Sequence, residues 1–179
     1  MRKNAQHWLM IVSWLWLGIN LHAAEGANLQ GPISAGSHLQ LTTDGHFQIQ
    51  QNAQLNAAQM YLESTAGNLD QFGQLSADLM SLNAAGDLNN HGSLQADSGL
   101  WVSAGDRLIN HSSGQMISGG VLSLTATNDL INRQGYLEGV NVSLTSKEGD
   151  IINRTEFDVI GDRSGTHSTR IGEASTIIS

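Results

Sequence analysis

The sequence predicts an all-β solenoid, a coil of short parallel strands stacked rung upon rung. Three observations carry this. A unit of about twenty residues recurs through most of the 179-residue chain, and a period of that length marks a repeat architecture. Within each unit apolar residues alternate at period two, which places each pair on one face of a short strand. Glycine and asparagine recur at fixed points between these pieces, where the chain must turn. Amphipathic helices are the competing reading of leucine-rich segments, and the strict alternation argues against them.

The chain opens on a segment outside the repeat. Arg2 and Lys3 precede an apolar stretch from Trp8 to Ile19, followed by Asn20-Leu21-His22-Ala23-Ala24. A basic start, an apolar core of about a dozen residues and a small-residue end describe a secretory signal peptide over residues 1–24, cut after Ala23 or Ala24. The alternative is a transmembrane anchor, for which the stretch is short, since a bilayer span takes about twenty residues. Repeats are expected over 25–156. A polar insertion and the start of a truncated further rung are expected over 157–179.

Each repeat reads as three strands. The first carries Phe47/Ile49, Leu69/Gln71, Leu88/Asn90, Leu108/Asn110, Leu130/Asn132 and Ile151/Asn153 in successive copies. The second carries Ile33/Ala35, Leu55/Ala57, Leu75/Ala77, Leu94/Ala96, Met116/Ser118 and Leu137/Gly139, a large residue followed by a small one. The third carries Leu39/Leu41, Met60/Leu62, Met80/Leu82, Leu100/Val102, Leu122/Leu124 and Val142/Leu144. Gly31, Gly73, Gly92, Gly114 and Gly135 precede the second strand, with Ala53 the exception, and Gly45, Gly67, Gly86, Gly105 and Gly149 precede the first, with Asn128 in place of Gly in one copy. Glycine tolerates positive φ, so these are expected to be left-handed turn positions. One repeat cannot bury its apolar face alone; stacked repeats share a continuous core.

Asn90, Asn110, Asn132 and Asn153 fall on the same face as the core leucines. An amide buried without partners costs roughly 1–3 kcal/mol. Stacked at the rung spacing of about 4.8 Å, each side chain can donate to the next, forming a ladder.

Composition excludes several functions. Sixteen acidic residues against eight basic ones give a net charge of −8, which argues against nucleic acid. The chain has no cysteine, hence no disulfide or thiol chemistry. His91 and His111 share a column, but no third ligand at fixed spacing accompanies them, and turn histidines are the expected reading. Asp87, Asp129 and Asp150, with Asn68 earlier, are expected to bond their own turn backbone rather than calcium. The outward acids Glu63, Asp78, Asp97 and Glu138 are scattered, whereas a polysaccharide-active enzyme needs converging carboxylates. No catalytic, cofactor or metal site is expected. Trp101 points outward between Leu100 and Val102 and is the candidate surface contact. Gly161 to Ile171, rich in Gly, Ser and Thr, reads as a loop.

The wording of the repeats resembles filamentous haemagglutinin repeats of two-partner secretion exoproteins, which include adhesins and the stalks of contact-dependent growth inhibition toxins. The resemblance rests on Ala85-Gly86-Asp87-Leu88-Asn89-Asn90-His91-Gly92-Ser93-Leu94, on Asn128-Asp129-Leu130-Ile131-Asn132-Arg133-Gln134-Gly135, and on Gly149-Asp150-Ile151-Ile152-Asn153-Arg154-Thr155-Glu156. It implies a right-handed parallel β-helix, export to the cell surface, and a structural role in a filament. It also implies partners: a host or neighbouring-cell surface, protein or glycan, and an outer-membrane transporter where a secretion domain is present. Self-association through exposed strand edges is expected as well. The expected function is that of a surface-associated adhesin segment. The alternatives are a stalk piece of a growth-inhibition toxin and, third, a β-helical polysaccharide-active enzyme.

Overall fold

Backbone pairing in this chain runs between successive repeats. The computed structural model describes residues 18–155, 157–161, 167–171 and 175–179. The first strands are β1 (Ile19–Ala23), β2 (Gly26–Leu29), β3 (Pro32–Ser34), β4 (His38–Thr43), β5 (His46–Ile49) and β6 (Gln54–Ser64). There follow β7 (Leu69–Gln71), β8 (Gln74–Ala84), β9 (Leu88–Asn90), β10 (Ser93–Ala104), β11 (Leu108–Asn110) and β12 (Gln115–Ala126). The last are β13 (Leu130–Arg133), β14 (Tyr136–Ser146), β15 (Ile151–Arg154), β16 (Phe157–Gly161), β17 (His167–Ile171) and β18 (Thr176–Ile178). Among the described residues there is no helix.

Two parallel sheets wrap one core. The larger runs β1-β4-β6-β8-β10-β12-β14-β18, with β3 also on β6, and the smaller seven-stranded sheet runs β15-β13-β11-β9-β7-β5-β2. Seven stacked strands make a rod roughly 30 Å long. The registers align the predicted columns residue for residue: Leu88 with Leu108, Leu94 with Met116, Leu100 with Leu122. Phe47, Leu69, Leu88, Leu108 and Leu130 stack in one buried column, and Leu39, Met60, Met80, Leu100 and Leu122 in another.

The three strands of each repeat are not separate. In β6, β8, β10, β12 and β14 the second and third predicted strands join as one bent strand of 11 or 12 residues. Pairing survives the corner because the extra residue is absorbed there: the register steps between Ala96 and Gly99, so that Asp97 and Ser98 stand against Asp78 alone. Such a bulge bends a strand without ending the ladder. Among the described residues, the rung of β3 and β4 keeps the pieces apart.

The pattern also reaches further towards the N-terminus than the sequence indicates. In β1, Ile19 aligns with Leu39 and Leu21 with Leu41, and both pack half-buried against the core. In the sequence the same residues form the tail of the N-terminal apolar stretch. The expected signal peptide otherwise falls, through residue 17, outside the described residues. At the other end, β16 and β17 pair antiparallel, with Phe157 opposite Ile171. The stretch to Ile171 is thus partly strand rather than loop. Alternating β-branched residues (Val159, Thr169, Ile171) favour this. The chain then returns to the rod, where β18 pairs with β14.

Most turn glycines are not in the expected left-handed conformation. Among the described residues only Gly26, Gly31 and Gln134 have positive φ, and Gly31 at 72° is the turn glycine among them. The others are glycine because stacked turns touch. A Cβ on Gly105 would lie 2.0 Å from the Ala85 carbonyl oxygen, one on Gly92 2.2 Å from that of Gly73, and one on Gly45 1.9 Å from that of Glu25. At Gly31 the added carbon would meet nothing within 4 Å. At Gly45, Gly92 and Gly105 the neighbouring turn thus leaves no room for a Cβ.

The two kinds of glycine separate on substitution. Gly105→Ala is expected to push two turns apart and cost about 1–3 kcal/mol, as overpacking does. Gly31→Ala should cost about 1–2 kcal/mol through its left-handed backbone alone. Urea unfolding measures both, and hydrogen exchange distinguishes them: only Gly105→Ala should lose protection at the turn preceding it.

Candidate functional site

The interior polar column is the most ordered feature of the rod. Register aligns Leu29, Ile49, Gln71, Asn90, Asn110, Asn132 and Asn153. The Asn90 Nδ2 donates to Asn110 Oδ1 at 2.8 Å, Asn110 to Asn132 at 2.9 Å, and Asn132 to Asn153 at 2.9 Å. Each amide also ties its own turn. Asn110 Nδ2 donates to the Gly114 carbonyl at 3.1 Å and Asn132 Nδ2 to that of Gly135 at 3.0 Å. Asn90, Asn110 and Asn132 are at most 1% exposed.

The column has two ends, neither read from sequence. Gln71, fully buried, folds its longer side chain back: Nε2 donates to the Gly73 carbonyl at 3.0 Å and Oε1 accepts from the Gly73 N–H. At the other end the Ser175 hydroxyl bonds Asn153 Oδ1 and the Asn132 carbonyl. Hydroxyls at a second corner play a similar part. Ser64 Oγ donates to the Gly45 carbonyl at 2.6 Å and accepts from Gly67 N–H at 3.1 Å.

On the residue after the ladder, planar side chains stack. Phe72 and His91 lie with ring centroids 4.6 Å apart, and His91 and His111 at 3.8 Å, tilted by only 9° and 13°. Nitrogen lone pairs lie in the ring planes, so parallel rings do not aim them at one shared point. Arg133 and Arg154 continue the column. Burial, then the neighbouring His91 and Arg133, push the His111 pKa down to about 4, against the opposing pull of Asp70. Burial also lowers His91, again opposed by Asp70.

The acidic turn residues bond the next rung rather than their own turn. Asn68 Oδ1 accepts from Asp87 N–H at 2.9 Å, Asp87 Oδ1 from Arg107 N–H at 3.1 Å, and Asp129 Oδ1 from Asp150 N–H at 3.0 Å. Parallel stacking leaves an amide of the following turn pointing back along the axis, and the carboxylate meets it. Arg107 adds an ion pair to Asp87 at 2.8 Å.

The outward acids are dispersed. Asp78 and Asp97 stand at one corner, with Asp78 held by the Ser98 hydroxyl, while Glu138 takes the Tyr136 hydroxyl at 2.6 Å on another strand. Trp101 is 43% exposed and belongs to the column Gln40, Tyr61, Ser81, Trp101, Ser123, Ser143. Its benzo ring lies over Gly99, where an added Cβ would come within 2.3 Å of it. Beside it runs an open groove of about 370 Å³, lined by Gln40, Gln59, Tyr61, Leu79, Ser81 and Trp101.

Over 57 residues, 32% of the chain, the sequence is 39% identical to tRNA nuclease CdiA of Yersinia mollaretii. The match spans 2% of that protein's length. No family profile matches the chain. No solved structure matches it.

Two measurements test the columns. Asn110→Ala removes the ladder acceptor of Asn90 and the ladder donor to Asn132, and leaves the Gly114 carbonyl only the Tyr136 N–H. It should cost about 1–3 kcal/mol in equilibrium unfolding, whereas Asn89→Ala, on the outer face, should cost far less. The stacked histidines predict a pH dependence. With the folded pKa of His111 near 4 and the ordinary value 6.5, the unfolded chain binds a proton in that window that the folded chain refuses. Stability therefore falls as pH drops from about 6.5 to 4 and rises in the opposite direction. The difference between the native chain and His111→Gln should shrink by about 1–2 kcal/mol across the window, allowing for the ring's partial exposure.

Proposed function

We propose that this chain is a stalk segment of a secreted, surface-displayed exoprotein of the filamentous haemagglutinin type. The parallel solenoid itself carries the reading. It is a rod whose inner columns repeat and whose outer columns vary, which suits mechanical reach with contacts distributed along its length. Nearest-neighbour stacking lets such a rod fold rung by rung. That suits a chain exported extended, through an outer-membrane transporter, and folded outside. The role is mechanical and adhesive rather than catalytic, and the partner is a host or neighbouring-cell surface.

The similarity to CdiA favours a second, narrower reading, that the parent is a growth-inhibition toxin and this segment its stalk. Both readings require export. Expressed with its own N-terminus in a bacterium with an outer membrane, the chain should leave the cytoplasm. Mass spectrometry should find a mature N-terminus at Ala24 or Glu25. Cytoplasmic retention of a chain that still begins at Met1 refutes export.

A further inference from the structure

We infer that the groove beside Trp101 is a binding site for a neutral oligosaccharide lying along the rod axis, with one sugar ring on the indole face. The inference stands on the geometry of the groove alone, so it survives or fails separately from the stalk reading.

The groove spans four rungs, from β4 to β10, a length of about 15 Å. Its base is apolar, lined by Leu79 and the indole. Its rim is polar, with the amides of Gln40 and Gln59 and the Ser81 hydroxyl. Among the described residues, no side-chain hydrogen bond engages Gln59 or Ser81. Burial, then the hydrogen bond to Glu63, raises the Tyr61 pKa against the opposing effect of Asn83, so the ring is a neutral wall. An apolar base with a few placed polar groups is the usual composition of a small-ligand site. A sugar ring has the matching surface: C–H groups on its face for an aromatic, hydroxyls on its edge for amides.

Two observations select among ligands. No Asp, Glu, Lys or Arg lines the groove, and His38 is its one titratable group besides Tyr61. The chain carries −8 overall. An acidic glycan would find no cation there and a repelling field around it. The indole is also arranged rather than merely exposed. Small neighbours let it lie down: Gly99 beneath it and Ser81 beside it, with Tyr61 one rung beyond Ser81. Tyr61 and Trp101 are two rungs, about 9.6 Å, apart, and Ser81 leaves the space between them open.

The test uses the full chain on an array of neutral glycans with heparin as the acidic comparison. Saturation-transfer NMR and calorimetry then follow on those that bind. Saturable binding of neutral glycans is expected, weakened at least tenfold by Trp101→Ala and by Gly99→Val, which lifts the indole. Ser143→Ala, on the same column outside the groove, should leave it unchanged. Circular dichroism checks that each variant keeps its β structure. The inference is overturned if no neutral glycan binds, if heparin binds more tightly than any of them, or if binding persists unweakened in Trp101→Ala. A proline-rich peptide binding where glycans do not would overturn it equally.

Discussion

A carboxamide inside an apolar core must be hydrogen bonded through both its oxygen and its nitrogen, and in this rod the neighbouring rung supplies the partner. Asn110 accepts from Asn90 and donates to Asn132, while its second hydrogen reaches the carbonyl of its own turn. This constraint reaches far beyond the amides. A slip of one residue in a rung inside the ladder would turn its Asn outwards and leave buried partners in the adjacent rungs unsatisfied, at roughly 1–3 kcal/mol each. Register is therefore set by the polar column together with the leucine columns, which the same slip would turn to solvent. The turn on the far side of the ladder is tied as well, because the same amides hold the carbonyls of Gly114 and Gly135.

The dependence on neighbours makes the ends different from the middle. Along one inner column, Leu108 is fully buried and Leu130 1% exposed, but Ile151, on the terminal strand of its sheet, is 50% exposed. Similarly Val142 and Leu144 on β14 are only partly buried, whereas Leu122 and Leu124 one rung earlier are fully buried, since β18 covers only Tyr136 to Glu138 of that strand. The polar column handles its ends by changing residue. A glutamine, one methylene longer, bends back onto its own turn at one end, and a serine hydroxyl closes the other. Opening is accordingly expected to begin at terminal rungs and to cost least there, as in other one-dimensional arrays.

Much of this was legible because stacking writes each column into the sequence at a nearly constant spacing. The asparagines could be placed inwards from period two alone, and their partners inferred from the rung distance. Other features were hidden by the same regularity. Glycines at the turns look like left-handed positions, yet Gly92 and Gly105 are there to let one turn rest on another, a contact invisible within a single repeat. Phe72, His91 and His111 differ too much in kind to read as one column, although all three present flat faces. Gln71 aligns with the asparagines, but its distinct geometry is not legible, because a single methylene decides whether an amide bonds the next amide or returns to its own turn. The corner between the second and third strands vanished into a bulge, since one or two residues are absorbed there without interrupting pairing.

Gly99 separates what the scaffold requires from what it permits. Turn glycines are accounted for by the fold: an added carbon at Gly73, Gly92 or Gly105 strikes the backbone of the previous rung. Gly99 lies within a strand, in a column whose other members are His38, Gln59, Leu79, Val121 and Asn141. Rung spacing thus admits side chains of any size at that point. What an added carbon would strike at Gly99 is the indole of Trp101 on the same rung. Glycine in a strand interior weakens it by roughly 0.5–1 kcal/mol relative to alanine, and stacking offers no compensation at this position. The compensating contact is the indole laid flat against the sheet, with one face kept open to the groove. The inner columns explain how the chain becomes a rod. The pairing of Gly99 with Trp101 concerns the outer surface, where the rod's geometry leaves residue choice free.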